Sequence, residues 1–236
     1  MNVAGERQFT AREQRLIQQL NTPARVQAWL NELPYNHERG GSTQRGFRGV
    51  LAHAAAHCME AAMFAATTLE QHGYAPLLMS FESTDNLDHV IFVYRHARSG
   101  LWGAIGRSRD IGLNGRLPRF GSTRALARSY MDPYIDATGR ITGFGVMNLA
   151  TAMGSYDWRG SRTNLWAVER ALIALPHTPL PSSTRRYRRL RQAYLQYRRE
   201  HDGAKPRNYA GRDRWAPLPA SFRRTRVSTP SRSPEE

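Results

Sequence analysis

Between Cys58 and Arg107 the chain passes from an alanine-rich helical run into three short strand-like runs, and this succession limits the fold more than any other feature. Residues 58–72 read as the clearest helix of the chain, with Ala62, Ala65, Ala66 and Leu69 forming a narrow packing face. Gly73 stands where a left-handed helix cap belongs. The runs "APLLMSFES" and "HVIFVYR" then carry the apolar and β-branched content of strands. "HARSG" supplies a turn, and "LWGAIGR" a third strand whose glycines mark a bulge or a close backbone approach. A helix followed by sequential short strands predicts an α+β fold, with helices packed on a small antiparallel sheet.

The flanking segments are mostly helical. Thr10-Ala-Arg-Glu13 has capping-box spacing ahead of Leu16, Ile17 and Leu20. Thr22-Pro23 starts a second helix, whose stripe is Val26, Trp29, Leu30 and Leu33. "YNHERGGST" is loop by composition, and "QRGFRGVLAHAAA" holds a short helix. Further on, "NGRLPRF" reads as loop, "STRALARSYMDPYI" begins as a helix and "GRITGFGVMNL" supplies a further strand. "NLWAVERALIAL" is amphipathic. "STRRYRRLRQAYLQYRREH" is a basic helix with Tyr187, Leu190, Tyr194 and Tyr197 along one side. This divides the chain into a domain over 1–180, a basic helix over 181–202 and an Arg/Pro/Ser-rich tail over 203–236. The tail and residues 1–9 are predicted disordered.

Charge matters for what the chain can bind. The net charge is +15, with 34 basic and 19 acidic residues. Fifteen of the basic and five of the acidic residues lie from Pro181 onward, which leaves the first 180 residues near +5. The body is therefore not built as a nucleic-acid groove, and weak non-specific contact with nucleic acid or anionic surfaces is expected of the tail alone. In "RRYRRLRQAYLQYRR" the tyrosines either stack on bases or pack on the body while the arginines stay solvated. No stretch approaches the roughly 18 apolar residues of a membrane span, and the N-terminus lacks a signal peptide's apolar core. A soluble cytoplasmic protein is expected.

Cys58 is the only cysteine, which excludes an internal disulfide and a multi-thiolate zinc site. His53 and His57 have i, i+4 spacing, but Ala-Ala-Ala between them lacks the glutamate of a zinc-protease motif. Nothing calls for a cofactor. A thiol at a helix start is another matter. Unpaired N–H groups and the helix dipole favour the thiolate there, and can also serve a developing oxyanion. His89, at the front of a strand, could take the thiol proton if a third group holds its ring.

The order of Cys helix, His strand and adjacent strand resembles the papain-like and transglutaminase-like folds. The motifs extend that resemblance. His57-Cys58-Met59-Glu60-Ala61-Ala62, Gly73-Tyr74-Ala75-Pro76, Asp88-His89-Val90 and Trp102-Gly103-Ala104-Ile105 are similar to the core of bacterial transglutaminase-like proteins, from "LPYNHE" to "ITGFG". The resemblance implies a cysteine acyltransferase or amide hydrolase acting on a protein or peptide amide. Cys58 would be the nucleophile and His89 its base. The family's third member, an aspartate on the next strand, would fall at Ala104 to Gly106, where no side chain can accept. Asp110 and Ser108, just beyond, are the candidates. Gln44 or Asn36 would supply an oxyanion amide. Glu60 reads as an ordinary first-turn carboxylate, and Asp88 as a structural residue facing away from His89. A binding module of the same fold without chemistry is the first alternative, and a nucleic-acid-associated protein using its basic tail the second.

Overall fold

The computed structural model describes residues 9–204, in which helices pack on an antiparallel sheet. The disorder expected at the two ends lies outside these residues, apart from Phe9, Gly203 and Ala204. Phe9 is partly buried and packs edge-on against Phe47, with ring centroids 5.6 Å apart.

The four N-terminal helices are α1 (Ala11–Gln19), α2 (Pro23–Glu32), α3 (Phe47–His53) and α4 (Cys58–Glu70). They precede β1 (Leu77–Ser83), β2 (His89–Arg95) and β3 (Trp102–Ile105). A 3₁₀ turn at Ile111–Leu113 leads to β4 (Arg116–Phe120), α5 (Thr123–Tyr134) and β5 (Ile141–Asn148). Helices α6 (Leu149–Ala152) and α7 (Trp166–Ile173), strand β6 (Thr178–Pro179) and helix α8 (Thr184–Glu200) complete the order. The strands run β4-β3-β2-β1-β5-β6, each pair antiparallel.

Local signals set the helix starts. Thr10 and Glu13 form the reciprocal capping box, and Thr22 caps α2 with Pro23 at its first position. Gly73 takes a left-handed φ of +82° beyond the end of α4.

Helix α4 is buried on every side from Met59 to Leu69, rather than along the narrow face its alanines predict. The reason is tertiary. Trp29 of α2 stacks on Phe64 at 4.4 Å and Phe47 of α3 stacks on it at 5.1 Å, so these helices cover the side turned away from the sheet. A helix surrounded in this way has no solvent face to keep polar. The sheet is covered on both faces as well. Val90, Phe92 and Tyr94 of β2 join the cluster of α1–α4 and α7, while Ile91 and Val93 join that of α5.

Two strands were invisible to pattern. "NGRLPRF" contains β4, which pairs with β3 at the sheet's edge (Trp102↔Phe120, Ala104↔Arg116), where Pro118 is tolerated. The two-residue β6 is too short to show a period, and pairs with Gly143 and Phe144 of β5. The glycine expectation for β3 holds in both its forms. The register shifts between Trp102 and Ala104, and a Cβ at Gly103 would lie 2.6 Å from the Tyr94 ring.

Helix α8 buries Leu190 and Tyr194, with Tyr187 packed beside Ile135 and Leu190. Arg186 pairs with Asp132, Arg191 donates to the Ala137 carbonyl at 2.6 Å, and Arg140 lies over the Tyr187 ring. Arg185, Arg188, Arg189 and Arg199 stay exposed. The apolar side of α8 is thus spent on the body. Leu190→Ala is expected to cost about 2 kcal/mol, the low end for a buried leucine because its cluster is small. Arg189→Ala should stay within about 0.5 kcal/mol. Denaturant unfolding of the two variants checks the difference, and equal values would mean that α8 is not docked. No helix among the described residues is long and apolar enough to cross a membrane.

Candidate active site

The site begins at the junction of α3 and α4. Helix α3 ends at His53, with Ala54 left-handed, and α4 starts four residues later, so His53 and His57 do not share a helical face. Residues 34–36 run alongside this junction: Ala56 N–H donates to the Pro34 carbonyl, and Asn36 N–H to the Ala56 carbonyl. Tyr35 is thereby carried to the mouth of the helix.

Glu60 holds the junction together. It is fully buried and accepts from His57 N–H (3.0 Å), Asn36 Nδ2 (3.0 Å), Thr43 Oγ1 (2.8 Å) and Arg45 N–H (3.3 Å). Glu60 is the expected first-turn carboxylate and closes a capping box with His57, but it is no ordinary one: it is fully buried and its other partners come from a loop some 15 to 24 residues upstream. It also bears on the oxyanion candidates. Asn36 donates its amide hydrogens to Thr43 Oγ1 and Glu60, so it stitches the loop to the helix. Gln44 lines the cavity beside Cys58; its Nε2 donates to Glu169 at 2.6 Å, and its Oε1 is buried with no partner among the described residues. As first residue of α4, Cys58 has an N–H without an intrahelical acceptor.

His57 is the helix N-cap. Its Nε2 donates to the Thr43 carbonyl at 2.7 Å, and its Nδ1 accepts the Met59 N–H at 3.2 Å. Burial disfavours charge on this ring, but the Cys58 sulfur and the Glu60 carboxylate outweigh it and carry its pKa up to about 9. The two hydrogen bonds favour the opposite outcome, since a proton on Nδ1 would face the Met59 N–H. Those bonds describe the neutral ring; the raised pKa and the pull on the Cys58 thiol belong to the protonated one.

His89 is buried at the first position of β2. Phe81 lies directly across the β1–β2 pair and stacks on the imidazole at 6.0 Å, with Tyr130 tilted against it at 6.1 Å. Its Nε2 donates to the Leu113 carbonyl at 2.8 Å, which leaves Nδ1 for the sulfur. The loop carrying that carbonyl is clamped by Arg116, which is buried. Arg116 donates to the carbonyls of Gly112 (2.9 Å), Asn114 (2.8 Å) and Gly115 (3.1 Å) while its guanidinium lies 3.8 Å over the Tyr130 ring.

The hydrogen bond expected of Asp110 or Ser108 is therefore made by a main-chain oxygen. Both residues line the same cavity as Cys58 and His89. The Ser108 hydroxyl accepts the Asp110 N–H at 3.1 Å, and the Asp110 carbonyl accepts from Leu113, so the pair shapes the 3₁₀ turn that presents Leu113. Asp88 also lines the cavity; β2 starts only at His89, so strand alternation does not send Asp88 to the other face.

Cys58 is half-buried in a cavity of about 830 Å³. Burial pushes its thiol up, but hydrogen bonds and charge from His57 and His89 prevail and hold it well below the ordinary thiol range. Tyr35 sits close enough that burial and then the Cys58 charge both raise its phenol. Iodoacetamide labelling of native Cys58 should therefore plateau well below pH 8.5, about the reference thiol pKa. Ser108→Ala and Asp110→Asn should leave that profile within about half a pH unit, because the Leu113 carbonyl holds His89 in both. A large upward displacement in Asp110→Asn alone would give the orienting role to its carboxylate.

Tyr35, Arg116 and the Leu113 carbonyl were not singled out from the sequence. A main-chain oxygen carries no residue signature, and Arg116 lies in the strand that pattern missed. Among the described residues no group of three or more His, Cys, Asp or Glu side chains is arranged to hold a metal ion. Compared with models of known protein families the chain matches none, and a search of curated proteins finds no match.

Proposed function

We propose that the protein is a transglutaminase-like cysteine acyltransferase or amide hydrolase working through a thioester on Cys58. One observation carries this: a thiol at the first position of a buried helix shares one cavity with His89, whose far nitrogen is fixed by the Leu113 carbonyl. The order of helix, His strand and neighbouring strand, and the four motifs along it, support the same reading.

The chemistry follows from the atoms. His89 takes the thiol proton on Nδ1 while Nε2–H stays on the Leu113 carbonyl. The Cys58 sulfur adds to an amide carbonyl, and the Cys58 N–H at the helix start faces the oxygen that gains the negative charge. Collapse of the tetrahedral adduct breaks the C–N bond, and His89 passes its proton to the departing amine. The thioester is then opened by water or by an amine, and His89 accepts the incoming nucleophile's proton before returning it to the sulfur.

The test is to incubate the full chain with a small activated acyl ester and read the intact mass. A single acyl group on Cys58, released by hydroxylamine and absent from Cys58→Ala, is expected. No adduct under conditions where iodoacetamide labels Cys58 would count against acyl transfer and leave a reactive thiol of another kind.

A further inference from the structure

We infer that the segment bound in this cleft is cationic: a peptide carrying arginine or lysine beside an apolar residue, close to the amide that Cys58 attacks. The inference rests on the function just proposed and specifies its substrate class.

The lining charges are the first observation. The chain carries +15, yet the cavity around Cys58 is lined by Glu38, Asp85, Asp88, Asp110, Asp136 and Glu169 against a single arginine, Arg109. The carboxylates come from separate parts of the fold. Asp85 and Asp88 lie on the β1–β2 turn, and Asp136 on the α5–β5 turn. Asp110 precedes the 3₁₀ turn, Glu38 sits in the loop before α3, and Glu169 on α7. A run of local composition does not produce this; the tertiary structure gathers it.

Several of these groups also serve the scaffold. Asp85 accepts from Ser83 Oγ (2.7 Å) and Thr138 Oγ1 (2.9 Å), and Asp136 accepts the N–H groups of Thr138 and Gly139 (both 2.9 Å). Those neutral donors fix where the carboxylates point without cancelling their charge. Burial chiefly raises the pKa of Asp88, with Asp85 adding to it and the Ser83 N–H and His177 opposing it. A cleft lined by one sign of charge with low-dielectric walls concentrates ligands of the other sign.

Two further observations point to a ligand. Gln44 lines this cavity; its Oε1 is a buried acceptor with no donor among the described residues, and its amide is fixed in orientation by the Nε2 bond to Glu169. Burying an acceptor unpaired is costly, and a donor on a bound peptide that reached it would recover that cost. The large hydrophobic residues that stand out in solvent among the described residues are Leu87, 59% exposed, and Ile173, 72% exposed. Both line this cavity, one from the β1–β2 turn and one from the end of α7. Large apolar side chains at the rim of a cavity are placed to meet an apolar neighbour on a bound chain. A volume of about 830 Å³ accommodates several side chains rather than one. Acidic walls, an unpaired acceptor and an apolar rim together describe a donor-rich, positively charged chain with apolar neighbours.

The test uses two peptidyl chloromethyl ketones on the full chain, alike except for arginine or its neutral isostere citrulline beside a leucine. Second-order labelling of Cys58 is read by intact mass, with iodoacetamide as the uncharged reference. The arginine probe should react at least about tenfold faster than the citrulline probe, and its advantage should shrink as salt is raised. Asp88→Asn combined with Asp136→Asn should reduce that advantage several-fold, and the iodoacetamide rate of the same variant reports whether Cys58 itself was disturbed. Equal rates for both probes, with brisk iodoacetamide labelling, would overturn the cationic substrate and leave the nucleophile standing. Absence of native labelling by any of the three reagents would remove the nucleophile, and this inference with it.

Discussion

On the proposed function, His89→Ala is expected to lower amide turnover by about 10²–10⁴-fold, the range lost with a positioned general base, and to move the pH profile of iodoacetamide labelling upward. The substitution removes the only imidazole whose far nitrogen is anchored by a carbonyl while its near nitrogen is left for the sulfur. His57→Asn is the companion variant. Asparagine is a good N-cap and can still accept the Met59 N–H, so this change should preserve the helix start and cost turnover far less. The two variants together distinguish base from cap. If His57→Asn loses as much as His89→Ala, His57 is the proton acceptor after all, and its elevated pKa describes a working imidazolium rather than a ring held neutral by its cap bonds.

Glu60→Ala is expected to destabilise the fold by about 3–5 kcal/mol, the cost of removing one partner from a buried charged network. Four donors converge on this carboxylate: His57 N–H, Asn36 Nδ2, Thr43 Oγ1 and Arg45 N–H. Alanine removes the acceptor that all four share, at a position with no exposure. An ordinary exposed first-turn carboxylate would contribute only about 0.3–1 kcal/mol, so denaturant unfolding separates the two roles by a wide margin. Glu60→Gln should lie between them, because one amide oxygen can serve one pair of donors while the NH₂ confronts the other. A loss under about 1 kcal/mol in Glu60→Ala would mean that the loop over residues 36–45 is held by something else. In that event the geometry of Cys58 would not depend on this carboxylate.

The elements legible along the chain were those whose cause is local. A hydroxyl three residues before a glutamate closes a capping box within one turn, and Thr10 with Glu13 needs no distant partner to do so. Pro23 and Gly73 act through their own φ. Strands β1 and β2 could be placed because a short apolar run buried on both faces, β-branched in β2, has few alternatives. Strand β4 could not. Its residues make an edge strand only because β3 offers an open row of hydrogen-bonding groups, and Pro118 argues against a strand until the edge position is known.

The same division runs through the site. Cys58 at a helix start and His89 at a strand start were readable because each sits at the boundary of a patterned element. What surrounds them depends on long-range contact. The ring of His89 is fixed by an oxygen 24 residues away, on a loop clamped by Arg116, and one backbone oxygen looks like any other in a sequence. Asp110 and Ser108 were attractive because they have the right chemistry near the right place, but the 3₁₀ turn they shape presents Leu113 to the imidazole instead. Glu60 belongs to the first turn of α4 in sequence and to the loop over 36–45 in space, which is why an apparent surface charge is a buried hub. By itself, then, the sequence determined the helix caps, the central strands, and a thiol and an imidazole at element boundaries, because short-range backbone and patterning rules act within a few residues. Only the tertiary structure decided which group holds His89, how the start of α4 is tied down, and that six carboxylates from five separate segments line one cleft. Those outcomes depend on packing that brings together residues far apart in the chain.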